Sequence, residues 1–283
     1  MMEASIAQSR MLRGRTIIMM TVDKNLISME KVADSGQCFR MSVINGGIEL
    51  FAYGRRLFIS RNDEGDYALD CPQGDFDGVW KDYFDLDGDY AAYENSVPAE
   101  DEFMLAAVSY GKGIRILRQE PWEMLISFII SQRKNIPAIR SCIAKLCERF
   151  GEKIEGGYAF PTPASLARLD EAALAECSLG YRTGYILSAA RMVDSGDLDL
   201  DSLYSVDYAD MLARLMAVPG VGPKVARCVM LFGYHRLEAF PRDVWINRVV
   251  DTHYAGNFPE QLYPGFAGVM QQYAFYYARS FKI

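Results

Sequence analysis

Residues Leu215–Val250, LMAVPGVGPKVARCVMLFGYHRLEAFPRDVWINRVV, decide the reading of this chain. They divide into a helix end, a glycine-rich turn over Pro219-Gly220-Val221-Gly222, a second helix, and a loop into a third. Pro223 suits the first position of a helix, where its missing N–H would have had no partner, so the second helix is predicted to begin near Gly222. Glycines at alternate positions let the backbone bend sharply and approach another body closely. The free N–H groups of Gly220, Val221 and Gly222, with the positive end of the following helix dipole, make a site for an anion such as a phosphate. On PGVG alone, a plain helix-turn-helix corner fits equally well.

Lys224 shifts that balance. The helix dipole disfavours an ammonium in the first turn, which favours the free amine, a nucleophile, and a surface lysine gains nothing from that place. Nineteen residues on, Asp243 follows Pro241 and precedes the apolar run Val244, Trp245, Ile246, Val249, Val250. Taken alone, Asp243 reads as a helix N-cap. A capping carboxylate aimed at a nearby amine does both jobs.

LxxVPGVGPKVARC followed by FPRDVW resembles the helix-hairpin-helix DNA glycosylases, and in detail their 8-oxoguanine DNA glycosylase branch. The resemblance implies that the hairpin grips a DNA phosphate, that Lys224 attacks C1' of the damaged nucleotide, and that Asp243 stabilises the developing sugar cation. Three further pieces appear in the family's order. Ser35-Gly36-Gln37-Cys38-Phe39-Arg40 matches SGQxFR, where the glycine carbonyl accepts the N7 hydrogen that 8-oxoguanine has and guanine lacks; read without the family it is a bulge or bend. Leu179-Gly180-Tyr181-Arg182 matches LGYR, where the tyrosine wedges beside the vacated position, although a tyrosine packing a helix start fits as well. Gln271 and Phe275, four apart on one helix face, match GxxQxxxF, the base-recognition pair, against a bland reading of surface glutamine and core phenylalanine. Cys228, one turn after Lys224, is implied to pack on the flipped base and to pair electrostatically with the lysine; a lone cysteine is otherwise a small buried hydrophobe.

Two positions depart from the family pattern. Arg133 stands where close relatives carry an asparagine, and Ala138 where they carry an arginine, both for the orphaned cytosine. Relaxed opposite-base selectivity is therefore expected. Arg133, Lys134 and Asn135 still form a compact donor cluster for phosphates or an unpaired base. Trp245 replaces a histidine and is assigned to the phosphate side of the pocket. His235 and His253 read as structural.

The 283 residues suffice for one large or two ordinary domains, and half of them are apolar. No run approaches the roughly 18 apolar residues of a membrane span. The start MMEASIAQSRMLRGR has no apolar signal core, so an intracellular protein is expected, cytoplasmic and nucleoid-associated if prokaryotic. Six cysteines (Cys38, Cys71, Cys142, Cys147, Cys177, Cys228) lack CxxC spacing and read as reduced thiols. None follows Cys228, so the four-cysteine iron–sulfur cluster of some relatives is not expected, and no cofactor is required; a metal at the hairpin carbonyls would serve only as a bridge to phosphate. The net charge of −7 opposes binding to a polyanion, but residues 62–102 carry fourteen acidic side chains and one basic, Lys81, leaving +6 for the remainder.

Alternating segments around an Asn45-Gly46 turn predict an antiparallel sheet over about Thr16 to Cys71, with short strands assigned from Thr16 up to Arg40. From Phe76 the periodicity turns helical. The expected fold class is α+β: a flexible leader over 1–14, an N-terminal antiparallel sheet domain with flanking helices over 15–111, and an all-α helix-hairpin-helix catalytic domain over 112–283. The expected protein is a monomeric bifunctional 8-oxoguanine DNA glycosylase/lyase acting on double-stranded DNA. An alkylpurine glycosylase, which keeps the aspartate and lacks the lysine, and a non-catalytic hairpin module are the alternatives.

Overall fold

The computed structural model describes residues 8–12 and 15–283. Of the leader expected over 1–14, residues 1–7 and 13–14 lie outside the described residues, and Gln8–Leu12 form a strand, β1. It pairs antiparallel with β2 (Arg15–Val22) at one edge of a six-stranded sheet. β3 (Met41–Ile44), β4 (Gly47–Ala52), β5 (Arg55–Arg61) and β6 (Tyr67–Asp70) complete it in the order β1-β2-β6-β5-β4-β3. Asn45-Gly46 makes the expected two-residue turn, with Ile44 opposite Gly47 and Gly46 at φ +88°. Alternation sets the register: Leu50 faces both Met41 and Leu57, and all three are buried on one face.

One sequence expectation fails here. The segment before Arg40, expected as strand, contains a helix, α1 (Met29–Asp34). Ser28 caps it by accepting from the Lys31 N–H, and Met29, Val32 and Ala33 put their side chains on one buried face at helical spacing. In so short a segment the local pattern fits either element, and the cap together with the burial of that face selects the helix.

Beyond a broken helical stretch at residues 73–83 and a short helix at Tyr90–Asn95, the chain builds a helical body. Its main helices are α2 (Glu102–Gly111), α3 (Pro121–Ser131), α4 (Ile136–Phe150), α5 (Arg182–Ser195), α6 (Tyr208–Met216), α7 (Pro223–Gly233), α8 (Val244–His253) and α9 (Ala267–Phe281). No helix among the described residues is long and apolar enough to cross a membrane. All six cysteines are unpaired and buried.

There are two apolar cores, one under the sheet and one inside the helical body. They interlock. Met104, Ala107 and Val108 of α2, on the sheet side of the break expected at Gly111, pack in the helical core, as does Phe39, which meets Phe128 of α3 edge-on with centroids 5.7 Å apart. Leu117 crosses in the other direction into the sheet core. Arg40 pairs with Glu123 of α3 at 3.1 Å with both side chains nearly inaccessible.

A second polar knot sits around Asp85. Its carboxylate meets Tyr90 Oη at 2.9 Å, the Arg118 guanidinium at 3.0 Å and His235 Nε2 at 3.3 Å, and His235 directly follows α7 and its cap. Burial raises the Asp85 carboxyl, but the bonds from His235 and Tyr90 and the charge on Arg118 outweigh it, so the group lies below the usual aspartate range. A depressed carboxyl adds stability that is present above its unfolded value, about 3.9, and is lost as the pH falls through its folded value. Asp85→Asn should therefore cost about 1–3 kcal/mol at neutral pH. In urea titrations against pH, the gap between native and variant should close below about pH 4.

Candidate active site

α7 starts as expected. Gly222 is its N-cap, in extended conformation and with no side chain to close the helix end, and Pro223 follows at the first position. The first N–H groups of such a helix have no partner within it and stay open to an anion. The turn before it depends on Gly220, whose φ is +80°; a Cβ there would meet the Tyr185 ring at 2.3 Å. Gly220 also accepts from Gln132 Nε2 at 3.1 Å, tying the hairpin to the end of α3. Val221 is buried beneath the turn.

Buried Val225, Ala226 and Val229 seat α7 in the core and leave Lys224 facing a cavity, half-buried. Its Nζ lies 5.3 Å from the centre of the Phe128 ring. One turn on, Cys228 is buried. Burial pushes its thiol up, Lys224 pulls it back and Asp243 adds to the rise, so the net direction favours the neutral thiol.

Asp243 caps α8, its Oδ1 accepting from the Ile246 N–H at 2.9 Å. Burial raises its carboxyl above the ordinary aspartate range, more than the helix N–H groups and Lys224 lower it. The cap reading and the functional reading thus describe one geometry, in which the helix end holds a carboxylate out of bulk water on the same cavity wall as the lysine.

That cavity measures about 1020 Å³ and lies between the sheet domain and the helical body, walled by Gly36, Phe128, Lys224, Asp243, Trp245 and Phe275 among others. A recess of about 60 Å³ is lined by Gly36, Lys224, Cys228, Asp243, Gln271 and Phe275, together with Phe128, Phe232, Pro241 and Gln272. Six residues from three separate stretches of sequence therefore meet at one place. Gly36 stands at φ +79°, and a Cβ on it would come within 3.1 Å of the Phe275 ring. Gln271 is 4% exposed, and among the described residues its Oε1 has no hydrogen-bond partner. A buried acceptor left empty costs about 1–3 kcal/mol, so its presence beside a recess marks a place for a donor on a ligand.

The rim is basic. Arg133, Lys134, Arg140 and Arg279 line the cavity, and among the described residues none of the fourteen acidic side chains of 62–102 does. Arg133 is exposed at φ +52°. Lys134 reaches the Ser178 carbonyl at 3.2 Å. Asn135 caps α4, accepting from the Ala138 N–H at 2.9 Å, so its carbonyl oxygen is engaged. Trp245 lies 5.3 Å under the Arg248 guanidinium.

The LGYR loop separates its two residues. Tyr181 is 54% exposed at the head of α5. Arg182, expected to contact DNA, is instead 5% exposed and turned inward: it donates to the Leu179 carbonyl at 3.0 Å and to that of Gln132, and its guanidinium carbon lies 4.4 Å from the Tyr181 ring centre. The guanidinium stiffens the loop that carries the tyrosine. Sequence reasoning passed over Phe128, Gln272, Arg140 and Arg279. Phe128 is one apolar residue in an apolar helix, without a signal of its own. Arg279 had one, since it continues the four-residue spacing of Gln271 and Phe275 along α9.

The chain resembles several known proteins. A family profile described as "8-oxoguanine DNA glycosylase, N-terminal domain" matches residues 19–125, and one described as "HhH-GPD superfamily base excision DNA repair protein" matches residues 126–261. The N-glycosylase/DNA lyase of Saccharomyces cerevisiae is 33% identical over 267 residues, 83% of this chain and 70% of that protein. A probable N-glycosylase/DNA lyase of Methanothermobacter thermautotrophicus is 28% identical over 213 residues, 64% of this chain and 68% of that one. Among solved structures, the Clostridium acetobutylicum 8-oxoguanine glycosylase/lyase bound to double-stranded DNA with cytosine opposite 8-oxoguanine superposes with a TM-score of 0.89 at 31% identity, over 100% of both chains. The sheet, the hairpin and the helical body are those of one lineage, and the chain belongs to the 8-oxoguanine DNA glycosylase family of helix-hairpin-helix base-excision repair proteins.

Proposed function

We propose that this chain flips 8-oxoguanine out of duplex DNA, excises it through a covalent bond to Lys224, and nicks the strand by β-elimination. The observation that carries this reading is the unpartnered Gln271 Oε1 in a recess whose wall holds both Lys224 and Asp243. A guanine-type base offers N–H donors on its Watson–Crick edge, which the orphaned acceptor needs. Phe275 and Cys228 take the two faces of the base, and the Gly36 carbonyl accepts its N7–H. The open end of α7, with Gly220 and Gly222, binds a backbone phosphate, whereas the Val221 N–H, expected to be free, is already committed to the Val218 carbonyl at 3.0 Å; Lys134, Asn135 and Trp245 lie along the strand, and Tyr181 fills the vacated stack with Arg182 bracing it.

Breaking the N-glycosidic bond develops positive charge on the sugar, which the ionised Asp243 stabilises more in the transition state than in the ground state. The base departs with the bonding electron pair and takes up a proton. The Lys224 amine bonds to C1', the ring opens at O4', and the resulting Schiff base acidifies the C2' hydrogen. Loss of that proton expels the 3' phosphate. Water then releases the lysine. Such an enzyme works inside the cell on chromosomal DNA, at the nucleoid if the source is prokaryotic, and as a monomer.

Borohydride should trap the native chain on an 8-oxoguanine duplex, and Lys224→Gln should leave no adduct on a denaturing gel; an undiminished adduct would remove the lysine from the mechanism. Because burial raises the Asp243 carboxyl, protonation begins at a higher pH than for a free aspartate of about 3.9. The acid limb of single-turnover excision should therefore lie above that value. Asp243→Asn should lower the rate by about 100-fold or more and abolish that limb. With Arg133 and Ala138 in place of the family's cytosine contacts, excision rates measured opposite each of the four bases should differ by less than about 10-fold, the equivalent of one good hydrogen bond.

A further inference from the structure

The backbone that carries Gly36 is gripped in an ordered way. Arg140 of α4 donates to the Ala33 carbonyl at 2.5 Å. Arg279 of α9 donates to the Asp34 carbonyl at 2.5 Å and to its carboxylate at 2.6 Å. Gln272 of α9 donates to the Ser35 carbonyl at 2.8 Å, and Gln119 to the Gln37 carbonyl at 2.9 Å. The Val32 carbonyl is taken by the N–H and hydroxyl of Ser35. Among the described residues, the Gly36 carbonyl alone in this run has no donor.

We propose that Arg140, Gln272 and Arg279 are positioning residues for lesion selectivity, which fix the Gly36 carbonyl by holding the carbonyls of Ala33, Asp34 and Ser35 from across the domain boundary. The proposal rests on the functional reading above. Its physical basis is that α1 ends here, and the last carbonyls of a helix have no partner within it. Glycine at φ +79° is the least restrained of residues, so the direction of its carbonyl has to be set by its neighbours. A fixed carbonyl at N7 gains a hydrogen bond from 8-oxoguanine and meets the lone pair of guanine. A carbonyl free to turn away loses both the gain and the repulsion. Arg279 also lies 5.6 Å from the centre of the Phe275 ring, so one side chain ties the stacking surface and the reading carbonyl together.

The test compares Arg279→Met and Arg140→Met, which keep the aliphatic stems, with the native chain. Each is made in two backgrounds: native for kinetics, and Lys224→Gln for equilibrium binding to matched duplexes containing 8-oxoguanine or guanine. The binding ratio between the two duplexes should fall about 10-fold in each variant, as should excision of 8-oxoguanine. Nicking of a preformed abasic site, measured in single turnover at saturating enzyme so that the lost rim charge drops out, needs no base reading and should fall several-fold less than excision. Arg279→Lys, with a donor restored, should recover part of the ratio. Equal losses in excision and abasic-site nicking would mean a general structural role and overturn the proposal, and so would an unchanged binding ratio. A native chain that fails to separate the two duplexes would sink the functional reading and this proposal with it, a failure visible before any Arg140 or Arg279 variant is made.

Discussion

A carboxylate taken out of bulk water and kept charged by the head of a helix is the constraint on which this molecule is organised. Asp243 occupies the N-cap of α8, where helix N–H groups offset part of the cost of burial, yet burial still prevails and its carboxyl sits above the usual range. Under the proposed function that imbalance has a use. A charge poorly solvated in the resting protein has most to gain from a cation that appears on the sugar beside it. The arrangement demands a second helix head to bring Lys224 to the same wall, and the glycine-rich turn before α7 exists to aim it.

Neither helix could define a base pocket alone. The recess is closed by Gly36 from the sheet domain and by Gln271 and Phe275 from the last helix, so its shape depends on how the two cores are fastened. The fastening is mixed. Phe39 and Leu117 exchange cores, Arg40 and Glu123 pair across the boundary, and Asp85 gathers His235, Tyr90 and Arg118. Apolar exchange supplies adhesion without direction, while the polar contacts set register and orientation. A recess whose walls come from both cores needs both.

Two of the expected contact residues are engaged with their own chain. Arg182 turns inward to stiffen the loop under Tyr181, and Asn135 gives its carbonyl oxygen to the start of α4. The overall acidity of the chain is likewise a poor guide to its binding face. The fourteen acidic residues of 62–102 stay off the cavity, and the rim that remains is cationic. Long-range association with a polyanion depends on where charge lies, not on the sum.

Much of this was legible in the chain itself. The proline-started helix at Gly222, the cap at Asp243, the Asn45-Gly46 turn and the change to helical periodicity after the sheet are all set by local rules: sterics of glycine and proline, capping, and the spacing of apolar side chains. Those rules act over a few residues and so can be read from a few residues. The helix at Met29–Asp34 lay at their margin, where a short segment satisfies two patterns and packing chooses. What no local rule contains is who faces whom: that Arg140, Gln272 and Arg279 reach back over a hundred or more positions to residues 33–35, that Arg182 is buried, and that the Gln271 oxygen is left without a partner. Those facts are fixed only when the two cores close on each other, because a hydrogen bond between distant residues is a property of the packed chain and leaves no periodic trace in its sequence.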